Sequence, residues 1–338
     1  MTAPPARRTG PLRDRRHAVR YWTITTVLAA LSVTFLVLLL TYGNRLPVGS
    51  AGFWRIVEMR AGDVVVIVVV ALCQSFATVC FQTATNNRIV TPSIMGFEAL
   101  YVAVQTAAIF LFGVAGLALL AGPVQFLLQA GLMVGFAMLL YGWLLSGRFA
   151  NLHVMLLVGV VIGGGLGSLS AFLQRLITPS EFDVLSARLF GNVSKAHTEY
   201  LGYAIPIVLL AAGLLWWRAK RLDVVALGGD TAHALGLDHR REQRRILLLV
   251  AVLMAMTTAL VGPMTFFGFL VATLAYQLAD TYDHRLLLPT AFLAAVTVLA
   301  GAYVVLRHVF AAQGAVTIII ELVGGSVFLV FLLRKGRL

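Results

Sequence analysis

Charge is what this sequence has least of. Aspartate, glutamate, lysine and arginine together make up 12% of its 338 residues, too few to cover the surface of a water-soluble fold of that length. The scarcity is patterned, because residues 21–44, 64–87, 99–147, 149–174, 246–279 and 286–306 carry none of the four. One bilayer crossing takes about 20 apolar residues, so these runs exclude a soluble protein and supply many crossings. With 60% hydrophobic residues and a mean hydropathy of +0.91, the chain belongs in a bilayer. The alternating ~10-residue segments of a membrane β-barrel are missing too. The expected fold class is an all-α integral membrane protein.

Other absences narrow the chemistry. No GxxxxGK[ST] phosphate loop occurs, so this chain has no P-loop with which to hydrolyse ATP. Any ATP and Mg2+ must be handled by partner subunits, and no directly bound cofactor is expected. HExxH, GxSxG and Cys/His clusters at metal spacing are also missing, which leaves no catalytic and no metal residues to name. The two cysteines, Cys73 and Cys80, lie seven apart in one apolar run and read as buried structural thiols. Acids number 14 against 26 bases, a net charge of +12. Nucleic acid would need those bases on one soluble face. They flank apolar runs instead, so nucleic acid is excluded and lipid is expected.

In order, residues 1–20 hold six arginines without apolar periodicity and read as a disordered basic cytoplasmic tail. Residues 21–338 read as a single transmembrane domain of about ten helices, near 22–41, 64–83, 93–112, 124–146, 153–174, 200–217, 246–262, 266–281, 287–306 and 315–333. The eighth is short and expected to be buried among its neighbours. An external loop is expected at 42–62 and an external segment at 176–198. On this topology 19 of the 26 basic residues fall on the side of the termini, and seven, Arg45, Arg55, Arg60, Arg175, Arg188, Lys195 and Arg307, fall opposite. The positive-inside rule then places both termini in the cytoplasm of a multi-pass plasma-membrane protein.

One long charged segment, 218–245, interrupts the apolar chain on that side. Within it LGGDTAHALGL predicts a short helix capped by Asp230 or Thr231 and stopped by Gly236. Leu227, Ala234, Leu235 and Leu237 would form an apolar face suited to a groove on a partner protein; an ordinary charged loop is the competing reading. At the inner end of helix 2, Gln82, Thr83, Thr85, Asn86 and Asn87 either line a path or cap the helix and tie its loop. Glu98 and Glu321 sit inside helices 3 and 10, where a charge is costly, so each is either a functional residue or, as the expected reading, structurally paired. Gly159, Gly163 and Gly167 form a small-residue stripe suited to close helix packing. His17, His233, His239 and His284 fall in loops and read as solvated.

LGGDTAHALGL resembles the coupling loop of the FecCD-type permeases, membrane subunits of type II ABC importers for iron–siderophore complexes, haem and cobalamin. FQTATNNRIVTPSIMG at 81–96, LFGNVSKA at 189–196, VGPMTFFGF at 261–269 and GGSVFLVFLLRKGR near the end are similar to further family segments in the same order. The chain departs from the pattern at Arg88, at Asp63, in helix 8 at Ala272, Thr273 and Tyr276, and at Gln313 and Ala315.

This resemblance implies a type II ABC importer permease fold and a set of partners: two ATP-binding cassette subunits, a second permease, an extracytoplasmic siderophore-binding protein and a ferric siderophore of the catechol-type branch. It implies an ATPase-coupling loop at Leu227, Gly228, Asp230, Ala234, Leu235, Gly236 and Leu237. A translocation path would involve Gln82, Thr83, Asn86, Asn87, Gly163 and Gly167, and binding-protein docking Arg60 and Arg307. Haem or cobalamin is the alternative substrate. An ion-coupled secondary transporter is the alternative class, and it would leave the polar platform without a role.

Overall fold

The computed structural model describes residues 10–119, 122–146, 152–189, 198–308 and 316–335. Among them are thirteen α-helices: α1 (Arg15–Thr41), α2 (Ala51–Ala84), α3 (Phe97–Leu119), α4 (Pro123–Ser146), α5 (Leu152–Gln174), α6 (Pro179–Leu189), α7 (Leu201–Trp217), α8 (Ala219–Val225), α9 (Gly229–Ala234), α10 (His239–Val261), α11 (Phe267–Ala279), α12 (His284–His308) and α13 (Val316–Lys335). Eight of them are long and apolar enough to cross a membrane, and α11 and α13 are shorter apolar helices. Together these are the ten segments that the uncharged runs predict.

Capping side chains explain where the boundaries differ. Helix α1 starts at Arg15 because Asp14 accepts a hydrogen bond from the His17 amide at 2.7 Å, so the last six residues of the expected basic tail are helical. Residues 1–9 of that tail lie outside the described residues. Ser50 caps α2 by accepting from the Phe53 amide at 3.1 Å, and the expected 42–62 loop shrinks to 42–50. At 34 residues α2 is about 50 Å long, well beyond the ~30 Å hydrocarbon layer. The expected external segment after α5 holds the amphipathic helix α6, and the last residues of the charged segment are the first turns of α10.

Helix α2 is the axis of the bundle. It packs against α10 and α12, α1 covers α12, α4 lies on another flank of α10, and α3 pairs with α5. The core that α2 shares with its neighbours includes Phe81, Met254, Phe267 and Leu288. Cys73 and Cys80 are fully buried in α2. Long-range contacts define two ends. At one, the Tyr21 hydroxyl of α1 donates to the Leu286 carbonyl of α12 at 3.0 Å and Gln243 of α10 donates to the Ala84 carbonyl at 2.7 Å. At the other, Tyr42 meets the His308 ring edge-on at 4.6 Å. Arg15, Arg16, Arg88, Arg285 and the platform therefore share one end, as the charge count requires. Trp22, Trp216 and Trp217 are exposed near that end, the position of an interfacial aromatic belt.

Candidate functional site

The platform is a folded unit. Helix α8 leaves α7, Gly228 opens the joint, and α9 ends in a Schellman arrangement: the Leu237 amide donates to the Ala232 carbonyl and the Gly236 amide to that of His233, both at 2.9 Å. Gly236, with φ +78°, takes the left-handed position that this motif needs. Its role as the stop is as expected, whereas α9 begins one residue before Asp230, with Gly228 as N-cap and no side-chain capping bond. Asp230 lies in the first turn. Asp238 then caps α10 through the Arg241 amide at 3.0 Å.

Glu242 closes the base of this hairpin. Its side chain is 4% exposed and accepts from Arg218 at 2.6 Å, Arg221 at 3.0 Å and Arg245 at 2.7 Å. A buried carboxylate is tolerable when it is paired and fully hydrogen-bonded, and three guanidinium groups supply that here. The tip is left open: Leu227 and Leu235 are 59% and 62% exposed, Ala234 is exposed, and Leu237 is half-buried against the core. On α9 the side chain turned inward is that of Ala232. Beside the tip lies an open groove of about 770 Å3 lined by residues including Asp230, His233, Gly236 and Leu237.

The inner end of α2 is tied down by its own polar groups. The Gln82 side chain donates to the Arg88 carbonyl at 2.8 Å, and the Asn87 side chain accepts from the Ile89 amide at 2.9 Å. Gln82 and Thr83 are buried, Asn87 is half-buried, and Asn86 is exposed with φ +47°. Of the four residues expected to line a path from this end, Asn86 has the open position, beside Arg88. The Arg88 guanidinium lies 4.4 Å from the Tyr276 ring centre.

His284, which reads as a solvated loop residue, is instead 4% exposed. Its Nδ1 lies 2.6 Å from Asp223 Oδ1, its Nε2 lies 2.7 Å from the Thr83 hydroxyl, and its backbone amide donates to Asp223 at 3.0 Å. Asp223 of α8 thus satisfies an orphan amide at the start of α12 while meeting the imidazole. Nothing in the sequence pairs Asp223 with His284, 61 positions away.

The remaining candidates lie on other elements. A Cβ on Gly163 would lie 3.2 Å from the Gly96 Cα, and one on Gly159 3.2 Å from the Met95 carbonyl oxygen, so both make the close packing contacts expected of the α5 stripe. Gly167 has open space around it. The Arg60 guanidinium donates to the Leu40 and Tyr42 carbonyls at 3.2 and 2.8 Å and holds the end of α1; Arg307 is exposed. Glu98 is buried and accepts from the Met264 amide at 3.1 Å and the Thr265 hydroxyl at 2.6 Å. It braces the α10–α11 connection, the structural pairing expected of it, and Glu321 lies on an exposed face of α13.

A model of the FecCD transport family matches residues 23–334. The chain belongs to the FecCD transport family. As a member it is a permease subunit of the ABC importer type, and its multi-pass helical body places it in the cytoplasmic membrane. It is 46% identical, over 98% of its own length and 94% of the relative's, to the petrobactin import system permease protein FatC of Bacillus anthracis. It is 37% identical, over 82% and 88%, to the petrobactin import system permease protein YclO of Bacillus subtilis. Its fold matches that of a chain assigned as a metal-chelate type ABC transporter in an inward-facing conformation, with a TM-score of 0.80 over 93% of this FecCD chain and 100% of the other, at 23% identity.

Proposed function

We propose that this FecCD permease moves ferric siderophore complexes inward by alternating access, driven by ATP hydrolysis on two separate cassette subunits. The observation that carries the substrate class is the 46% identity along nearly the whole chain to a petrobactin import permease, which makes ferric petrobactin the first substrate to test. The exposed Leu227–Leu235 tip on a braced platform is what a groove on an ATPase subunit would grip. ATP and Mg2+ bind on that subunit. A second FecCD-type permease completes the path, and Asn86 with Gly167 are this chain's open positions along it. An extracytoplasmic binding protein docks at the opposite end, where Arg307 is the exposed member of the Arg60–Arg307 pair and steers more than it binds.

Uptake of labelled ferric petrobactin in a strain deleted for this permease, with and without the gene restored, tests the substrate. Restored haem or cobalamin uptake without siderophore uptake would replace it. Co-purification tests the drive: Leu235→Arg is expected to cut recovery of the ATPase subunit at least tenfold, and undiminished recovery and siderophore-driven ATP hydrolysis would sink the coupling role.

A further inference from the structure

The contacts at His284 continue in both directions. The Thr83 hydroxyl also lies 2.9 Å from the Val79 carbonyl one turn back in α2, and beyond the α2 exit Arg88 is stacked over the Tyr276 ring. Asp223 belongs to α8, one joint away from α9. A continuous set of side chains therefore runs from the exit of α2 to the platform. A second tie, from Gln243 to the Ala84 carbonyl at 2.7 Å, reaches the residue next to Thr83. Glu242, beside Gln243, holds α8 to α10 through Arg218 and Arg221.

Resting on the importer reading, we propose that Asp223, His284 and Thr83 form a polar strut that carries displacement of α8 to the inner end of α2, with His284 as its positioning residue. The reason is mechanical. Apolar contacts between helices, such as Leu222 and Val225 against the core, have no direction and let packed helices slide. Two short hydrogen bonds on opposite nitrogens of one rigid ring fix both distance and angle. The His284 side chain is 5% exposed and Asp223 22%, so the imidazole itself has little access to water, and in that environment an unmade bond is costly. A push on the platform tip then reaches the Asn86–Arg88 loop by way of Thr83. Coupling of this kind needs an element with two positions that both ends bias, and the exit of α2 is the element named here.

The test uses the complete importer with its ATPase and binding protein in liposomes, measuring ferric siderophore moved per ATP hydrolysed. Thr83→Val, Asp223→Asn and His284→Gln, the last keeping the distal nitrogen position but losing the proximal one, are each expected to lower that ratio at least fivefold. Thr83→Ser, which keeps the hydroxyl, stays within twofold of wild type. A second readout needs no substrate. A single cysteine placed by Asn86→Cys is labelled with a water-soluble maleimide before and after vanadate trapping, while Cys73 and Cys80 stay silent because they are buried. Trapping is expected to change the labelling rate at least fivefold in the wild-type background and less than twofold with Thr83→Val.

The strut is overturned if the variants respond to trapping like wild type. Uptake and hydrolysis falling in proportion, or Thr83→Ser failing as badly as Thr83→Val, would also overturn it. A wild-type background that transports siderophore but shows no trapping response at Asn86 also overturns it, whereas no ATP-driven siderophore uptake at all defeats the importer reading beneath it.

Discussion

Helices α2 and α10 bury 78% and 67% of their apolar windows inside the chain, while α3 and α5 bury 22% and 17%. The first pair carries buried polar groups that are fastened across helices, such as Gln243 to the α2 terminus and Thr83 to His284. The second pair touches through glycine, Gly96 against Gly159 and Gly163, and turns Leu157, Val161 and Phe172 outward. One flank is a frame in register with the platform. The other is held by close backbone approach and keeps most of its surface for what lies outside this chain, which the proposed function identifies as lipid, the path and a second permease.

Glycine substitutions break this contrast most directly. On the buried flank a Cβ at Gly268 would run into the Thr78 hydroxyl, so Gly268→Ala is expected to cost about 2–3 kcal/mol through overpacking. Gly167→Ala, in open space on α5, should be neutral within ~0.5 kcal/mol; thermal unfolding in detergent compares the two. Gly163→Ala falls between them at about 1–2 kcal/mol, because the Gly96 backbone must give way. A second measurement sharpens the frame. Glu242→Ala strands three arginines, and since two are about half exposed the buried-pair cost of ~3–5 kcal/mol should be reduced to about 2. Protease sensitivity of the 218–245 segment should rise with it.

The smallest effects separate the two arginines once paired as docking residues. Arg60→Ala is expected to lose about 1 kcal/mol from the end of α1. Arg307→Ala should leave thermal stability unchanged and slow association with the binding protein several-fold at low salt, an effect that fades as salt rises. Equal stability losses for both variants would undo this assignment.

Membrane helices were easy to find in the sequence because lipid demands long uncharged runs, and all ten expected segments have counterparts. The gathering of basic residues at one end was equally legible, since they obey a rule of counting. Boundaries were less so: the caps at Asp14 and Ser50 are ordinary polar residues, and nothing local marks them as starts while charged residues follow. The platform tip was legible at Gly236 and Leu235 because a left-handed stop and an exposed leucine have local signatures. Glu242, Asp223 and His284 were not, because each owes its role to at least one partner 21 to 201 positions away. A histidine in a polar stretch looks solvated until its neighbours are known. Likewise the glycine stripe of α5 announced close approach without saying which glycine meets a helix and which meets open space.

Helix α2 outruns the bilayer by about 20 Å, and Arg60 pins its projecting part to the end of α1. On the proposed function, a soluble partner arriving at that end meets a standing post, with Trp54, Arg55 and Met59 on its exposed sides, in place of a loop that must first be ordered. Freezing a floppy segment costs about 1–2 kcal/mol per residue, and a post that is already rigid removes that tax from every docking event.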